Sequence, residues 1–247
     1  MPDSTISSFF LHSSADRPPL RIGILLDDVR LSRVFAGIIE DIRACNFARV
    51  ELLIFNADAE ASTPRPVPAM GRPLPLRVLG ALIDARRRNE LAWSLYNRLD
   101  RRHADPERDP LEPVDCSAML EGIERIHVHP VTKRFEHRFT EPDLDQIRST
   151  HLDVLLRFGF NILRGGILDA ARYGVWSFHH GDSDRYRGGP AHFWELVEDT
   201  PISGVVLQRL TEELDAGVIL AKTMFATESG LSLARNRVRP PSARRIW

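Results

Sequence analysis

The 247-residue chain has only two cysteines, Cys45 and Cys116. That is too few for a disulfide framework or a thiolate zinc site, so both are expected to pack as inert side chains in a reducing cytoplasm. Charge of one sign is lacking too: 33 basic residues stand against 34 acidic ones, a formal net charge of -1. No overall field therefore marks a nucleic-acid or membrane-surface binder, and a charged partner has to be met locally. No apolar run approaches the roughly 18 residues of a membrane span. Residues 1–19 have neither a basic start nor an apolar run, and read as a flexible leader rather than a signal peptide. Gly23 stands alone inside the first apolar run, so no Gly-x-Gly-x-x-Gly follows it, and no phosphate-cradling loop ending in Gly-Lys-Ser/Thr occurs.

What is present is 43% apolar residues, enough for one sizeable core. Leu20–Leu26 (LRIGILL) ends in Asp27 and Asp28 and reads as a buried parallel strand. Leu31, Val34, Phe35, Ile38, Ile39 and Ile42 then recur at helical spacing, and Val50–Asn56 reads as a second strand. Strand, helix and strand in this order predict a right-handed βαβ unit and an α/β fold with a mostly parallel sheet flanked by helices. Residues 60–80 are a proline-rich loop and Leu82–Leu99 a helix. Arg125–Val131 reads as a strand, and Thr140 with Asp143 as the cap of a helix running to about Thr150. Further strands are expected at Asp153–Phe160, Val175–His180, Gly204–Leu214 and Val218–Thr227, with helices at Gly166–Tyr173 and Pro190–Glu198. The folded domain thus spans 20–228, and the basic segment 229–247 is expected to be disordered.

In a parallel α/β sheet, chemistry collects at the carboxyl ends of strands. Three groups are expected there: Phe158–Leu163, Ser177–Arg187 and the turn Asp215-Ala216-Gly217. His127 and His129 share one strand face but lack a third ligand at metal-binding spacing, so they read as structural.

The runs VLLRFGFNILRGGIL, GVWSFHHGDSDRYRGGPAHFWEL and GVVLQRLTEELDAGVILAKT resemble the N-terminal catalytic domain of the folate-dependent formyltransferases. That family includes methionyl-tRNA, glycinamide-ribonucleotide and sugar-amine formyltransferases. The resemblance covers Asp153 to Thr223, and the first βαβ unit loosely. It implies a Rossmann-like sheet, 10-formyltetrahydrofolate as formyl donor, and an amine acceptor such as a sugar amine or an aminoacyl-tRNA. No metal and no membrane partner are implied. His179 takes the place of the family's His, and Asp215 matches its acidic turn. Ser177 stands where the family has Asn, making Ser177, His179 and Asp215 the catalytic candidates. Phe158, Gly159, Phe160, Asn161, Ile162 and Leu163 resemble the pterin-binding loop, where apolar side chains sandwich the ring and Gly159 lets backbone approach it. Arg185, Arg187 and Gly188 match an Arg-Gly segment placed to meet the folate tail or an acidic acceptor.

The chain departs from the pattern at three positions. Ser177 is shorter than Asn and would reach an oxyanion only through water, so Ser177→Asn is expected to restore a direct donor. His180 replaces a small residue or proline, and Pro190 comes one place early. Two other functions remain open. Asp182-Ser183-Asp184 spells a metal-holding Asp-x-Asp of the kind used by glycosyltransferases, and a folate-binding module without catalysis would also fit the loss of Asn.

Overall fold

The computed structural model describes residues 12–13, 16–59, 85–100, 102, 107, 109–186, 190–213, 216–228 and 232–238. Of the expected segments, most of the leader, the proline-rich loop and most of 229–247 lie outside the described residues. Among those described, no helix is long and apolar enough to cross a membrane.

The strands that build the central sheet are β1 (Leu20–Leu26), β3 (Ala48–Asn56), β5 (Glu124–Val128), β8 (Val154–Arg157), β10 (Val175–His179), β11 (Ile202–Arg209) and β12 (Val218–Ala226). Their order is β12-β11-β10-β8-β1-β3-β5. The five from β10 to β5 run parallel, and β11 and β12 add an antiparallel hairpin at one edge. Short strands lie outside this sheet: β2 (Arg30–Ser32) pairs with β4 (Pro113–Asp115), and β6 (Val131–Lys133), β7 (Glu136–Arg138) and β9 (Ile162–Arg164) pair among themselves. The helices are α1 (Arg33–Ala44), α2 (Ala85–Asp100), α3 (Glu141–Ser149), α4 (Phe193–Val197) and α5 (Leu233–Val238).

Both sheet faces are covered, which is why β1 is apolar at nearly every position. On one face Leu25, Leu52, Ile54 and Leu155 pack with Leu144 and Ile147 of α3 and with Phe160 and Ile167. On the other, Ile24, Leu26, Leu53 and Leu156 meet Ala36 and Ile39 of α1. Leu31, expected on the helix face, belongs to β2, and α1 begins after it, at Arg33. Thr140 caps α3 as expected: its Oγ accepts from the Asp143 N–H at 3.4 Å and donates to the Asp143 carboxylate at 2.7 Å.

Two expectations are corrected. Leu233–Val238, in the segment expected to be disordered, forms a helix with Leu233 and Ala234 buried. Its first turn is held by α2, because Asp100 Oδ2 accepts from the Ala234 N–H at 2.8 Å. The hairpin turn expected at the carboxyl ends lies toward the opposite end. Since β11 runs antiparallel to β10, the chain leaves it beside the start of β10, where the Leu210 N–H donates to the Val175 carbonyl at 2.8 Å.

The chain leaves β1 toward β3 and leaves β8 toward β10, so the connections part between β1 and β8. Here Phe158 N–H and Gly159 N–H both donate to the Leu25 carbonyl, at 3.0 and 2.9 Å. A Cβ on Gly159 would sit 2.8 Å from the Leu26 carbonyl carbon, a backbone atom that cannot swing away. The close approach at Gly159 is therefore made by the chain's own β1. Gly159→Ala is expected to cost about 1–3 kcal/mol of folding stability by overpacking this contact. Urea unfolding measures it, and a variant as stable as the wild type would mean that the loop separates from β1 at no cost.

Candidate active site

Alternation along β10 sends Ser177 and His179 to one face and Trp176 and Phe178 to the other. Register places Ser177 between Arg157 of β8 and Gln208 of β11, a polar row across three adjacent strands. These residues line a cavity of about 200 Å³ together with His179, Ile162, Leu163, Glu213 and Gly217. Of the expected residues, the fold thus brings Ser177, His179, Ile162 and Leu163 to one cavity. The hairpin turn borders it from both sides through Glu213 and Gly217, while Asp215 between them lies outside the described residues.

The rest of the expected pterin loop is placed differently. Phe158 stacks on Phe35, with ring centroids 4.2 Å apart, on the other sheet face. Phe160 is buried in the core against Phe139. Neither ring lines the cavity: β8 ends at Arg157, the loop beyond it does not continue the strand's alternation, and each ring finds apolar partners in a different half of the core. Phe160 also has φ +65, costly for an aromatic residue. It is held by hydrogen bonds at both ends: its N–H donates to Asp27 Oδ2 at 2.9 Å, and its carbonyl accepts from Arg157 Nη2 at 2.9 Å. The Asn161 N–H donates to His137 Nδ1 at 3.3 Å, so that ring nitrogen is unprotonated. Burial pushes the His137 pKa down, against the attraction of Asp27.

Arg157 was not singled out from sequence. Its guanidinium donates from Nε to the Asn161 carbonyl at 3.2 Å, from Nη2 to Phe160 and from Nη1 to Ser177 Oγ at 3.2 Å. Burial lowers its pKa and the Asp27 carboxylate opposes that. A charged residue interrupting the apolar run VLLRFGF was the signal available. Gln208 and Asp27 were missed as well, and no periodicity points to them. The same contact revises the expectation for Ser177. Only 2% exposed and against the guanidinium, it leaves no room for a longer carboxamide while Arg157 stays.

His179 Nε2 lies 2.9 Å from the Tyr186 carbonyl. A carbonyl only accepts, so Nε2 carries the proton. Tyr186 is anchored in turn, its hydroxyl 2.8 Å from Glu198 and 2.7 Å from Thr200. Arg185 is exposed, and its backbone N–H donates to the Asp182 carbonyl; Arg187 and Gly188 lie outside the described residues.

The Asp-x-Asp pair is engaged from within the chain. Lys222 Nζ of β12 donates to Asp182 at 2.5 Å and to Asp184 at 2.7 Å, filling the place a cation would take. Burial raises the Asp182 pKa, but Lys222, the Asp184 N–H and Arg185 outweigh it and leave the carboxyl below its usual range. His127 stacks on Phe55 and His129 pairs with Asp58 at 3.1 Å. Among the described residues, no group of three or more His, Cys, Asp or Glu is placed to hold a metal.

Burial, with the neighbouring His192 and His179, pushes the His180 pKa down to about 4. The unfolded chain, with an ordinary His near 6.5, then takes up a proton first as pH falls. The stability carried by neutral His180 is complete above about pH 6.5 and is lost progressively toward pH 4. Unfolding midpoints of wild type and His180→Gln between about pH 7 and pH 5 check this. The variant should lose less stability over that range, and parallel curves would assign the acid sensitivity to another group.

No family model matches the chain. Curated relatives include the methionyl-tRNA formyltransferase of Agathobacter rectalis, 30% identical over 125 residues, which cover 49% of this chain and 38% of that protein. Methionyl-tRNA formyltransferase of Prochlorococcus marinus subsp. pastoris is 32% identical over 85 residues, 34% of this chain and 26% of that one. The chain thus spans well under half the length of these relatives. Among solved structures, glycinamide ribonucleotide transformylase 1 from Symbiobacterium toebii superposes with a TM-score of 0.55 at 15% identity, over 95% of this chain and 89% of that one. A formyltetrahydrofolate deformylase from Pseudomonas syringae pv. tomato gives 0.52 at 15% identity, over 92% and 57%. At such identity these likenesses establish the fold. The chain resembles the folate-dependent formyltransferases in sequence over about half its length and in fold over nearly all of it.

Proposed function

We propose that this chain transfers the formyl group of 10-formyltetrahydrofolate to an amine. The observation that carries the reading is the one cavity lined by Ser177, His179, Ile162, Leu163 and both flanks of the Asp215 turn. Its sequence relatives are named methionyl-tRNA formyltransferases, which makes an aminoacyl-tRNA one candidate acceptor. A sugar amine is another. Binding a tRNA would rest on local basic groups, given the net charge of -1.

In this reading the amine attacks the formyl carbon, a C–N bond forms, and the carbonyl electron pair moves onto oxygen. Donors aimed at that oxyanion lower the barrier. Protonated His179 can keep Nε2–H on the Tyr186 carbonyl and offer a second N–H from Nδ1. The ammonium proton passes through water to the Asp215 carboxylate. As the oxyanion collapses, the bond to N10 breaks, N10 receives the proton, and formamide and tetrahydrofolate leave.

His179→Ala and Asp215→Asn are each expected to lower tetrahydrofolate release by about 100-fold or more without unfolding the chain. Near-wild-type turnover of either, measured with a panel of amines, would remove that residue from the site. Binding of a folate analogue by a wild type that never turns over would favour the non-catalytic module. Chelation of divalent cations should leave the rate unchanged, since Lys222 already occupies Asp182 and Asp184. A rate restored by manganese would revive the glycosyltransferase reading.

A further inference from the structure

We propose that Arg157 is a catalytic residue of this site, its guanidinium donating to the oxyanion in the place left by the short side chain of Ser177. The assignment rests on the formyl-transfer reading and deepens it.

Three observations meet at this residue. Register sets Arg157 directly beside Ser177 on the neighbouring strand, and both line the cavity with His179. The guanidinium reaches across to Ser177 Oγ and so fills the space a longer side chain at 177 would occupy. Of its five N–H groups, three are committed, to Asn161, Phe160 and Ser177. The other two have no partner among the described residues.

A purely structural arginine would be a costly way to fasten this loop, because taking a cation out of water must be offset by its partners. Two carbonyls and a hydroxyl are neutral acceptors, and Asp27 supplies the nearby opposite charge. An anionic oxygen forming in the cavity would complete the set. The interaction strengthens only as negative charge develops on the formyl oxygen, which is the condition for accelerating the chemical step rather than tightening donor binding. Ser177 takes part as well: its oxygen accepts from Nη1, so its own O–H remains available to the same oxyanion. The bonds made and broken are those of the transfer step, and Arg157 keeps its protons throughout.

The test compares wild type, Arg157→Lys, Arg157→Ala and the double variant Ser177→Asn/Arg157→Ala. Tetrahydrofolate release is followed with a panel of amines, and 5,8-dideazafolate affinity is measured by calorimetry. Arg157→Lys keeps the buried charge but loses the fork, and should lower kcat by about 30-fold or more with the dideazafolate Kd within about threefold. Added guanidinium ion should restore part of the turnover of Arg157→Ala and leave the wild type unchanged. In the double variant Asn gains the space vacated by Arg157, and the rate should exceed that of Arg157→Ala. The assignment is overturned if Arg157→Lys turns over within about threefold of wild type, or if only the dideazafolate Kd changes. A wild type that releases no tetrahydrofolate with any amine would instead overturn the transfer reading itself.

Discussion

Both oxygens of the Asp27 carboxylate are committed at the point where the sheet's connections part. One accepts from Asn56 Nδ2 at 2.9 Å and the other from the Phe160 N–H. A single side chain thereby ties the ends of β1 and β3 to the loop that leaves β8. That loop is the difficult part of the fold, since it crosses β1 at a glycine with no room for a Cβ and then forces an aromatic residue to positive φ. Asp27 also supplies the negative charge that opposes the effect of burial on Arg157. Without it, the loop would lose an anchor and the guanidinium its counter-charge in one step, so the shape of the cavity wall and its electrostatics rest on the same group.

Much of the frame was legible in the sequence because it obeys simple periodicities. LRIGILL reads as a strand buried on two faces, and it is one, with Ile24, Leu25 and Leu26 fully buried. The capping pair Thr140 and Asp143 started a helix where the pattern said it would. Ser177 and His179 were recognised through a resemblance, and alternation along one strand delivers them to the same cavity.

What escaped depended on neighbours distant in the chain. Nothing in VLLRFGF says that its arginine will lie beside Ser177, twenty positions later, because cross-strand register is a property of the sheet. The two phenylalanines of the same run looked like a pair of ring-sandwiching side chains, yet each is claimed by a different half of the core. Asp182-Ser183-Asp184 reads as a cation site for the same reason in reverse. The cation that meets it is the chain's own Lys222, brought across by the β11–β12 hairpin.

The division of labour in β10 has a consequence for how such a chain can change. Its five residues alternate between chemistry and packing, with Ser177 and His179 facing the cavity and Trp176 and Phe178 facing an apolar groove beside α1. Substitutions alter one face at a time and can be accommodated singly. Inserting or deleting one residue before Ser177 would exchange the two faces, turning an indole and a benzene ring into the cavity and an imidazole and a hydroxyl into hydrocarbon. The strand is thus tolerant of changes in spelling and intolerant of changes in reading frame, so a change of length in this half of the chain is accommodated only in the loops that flank it.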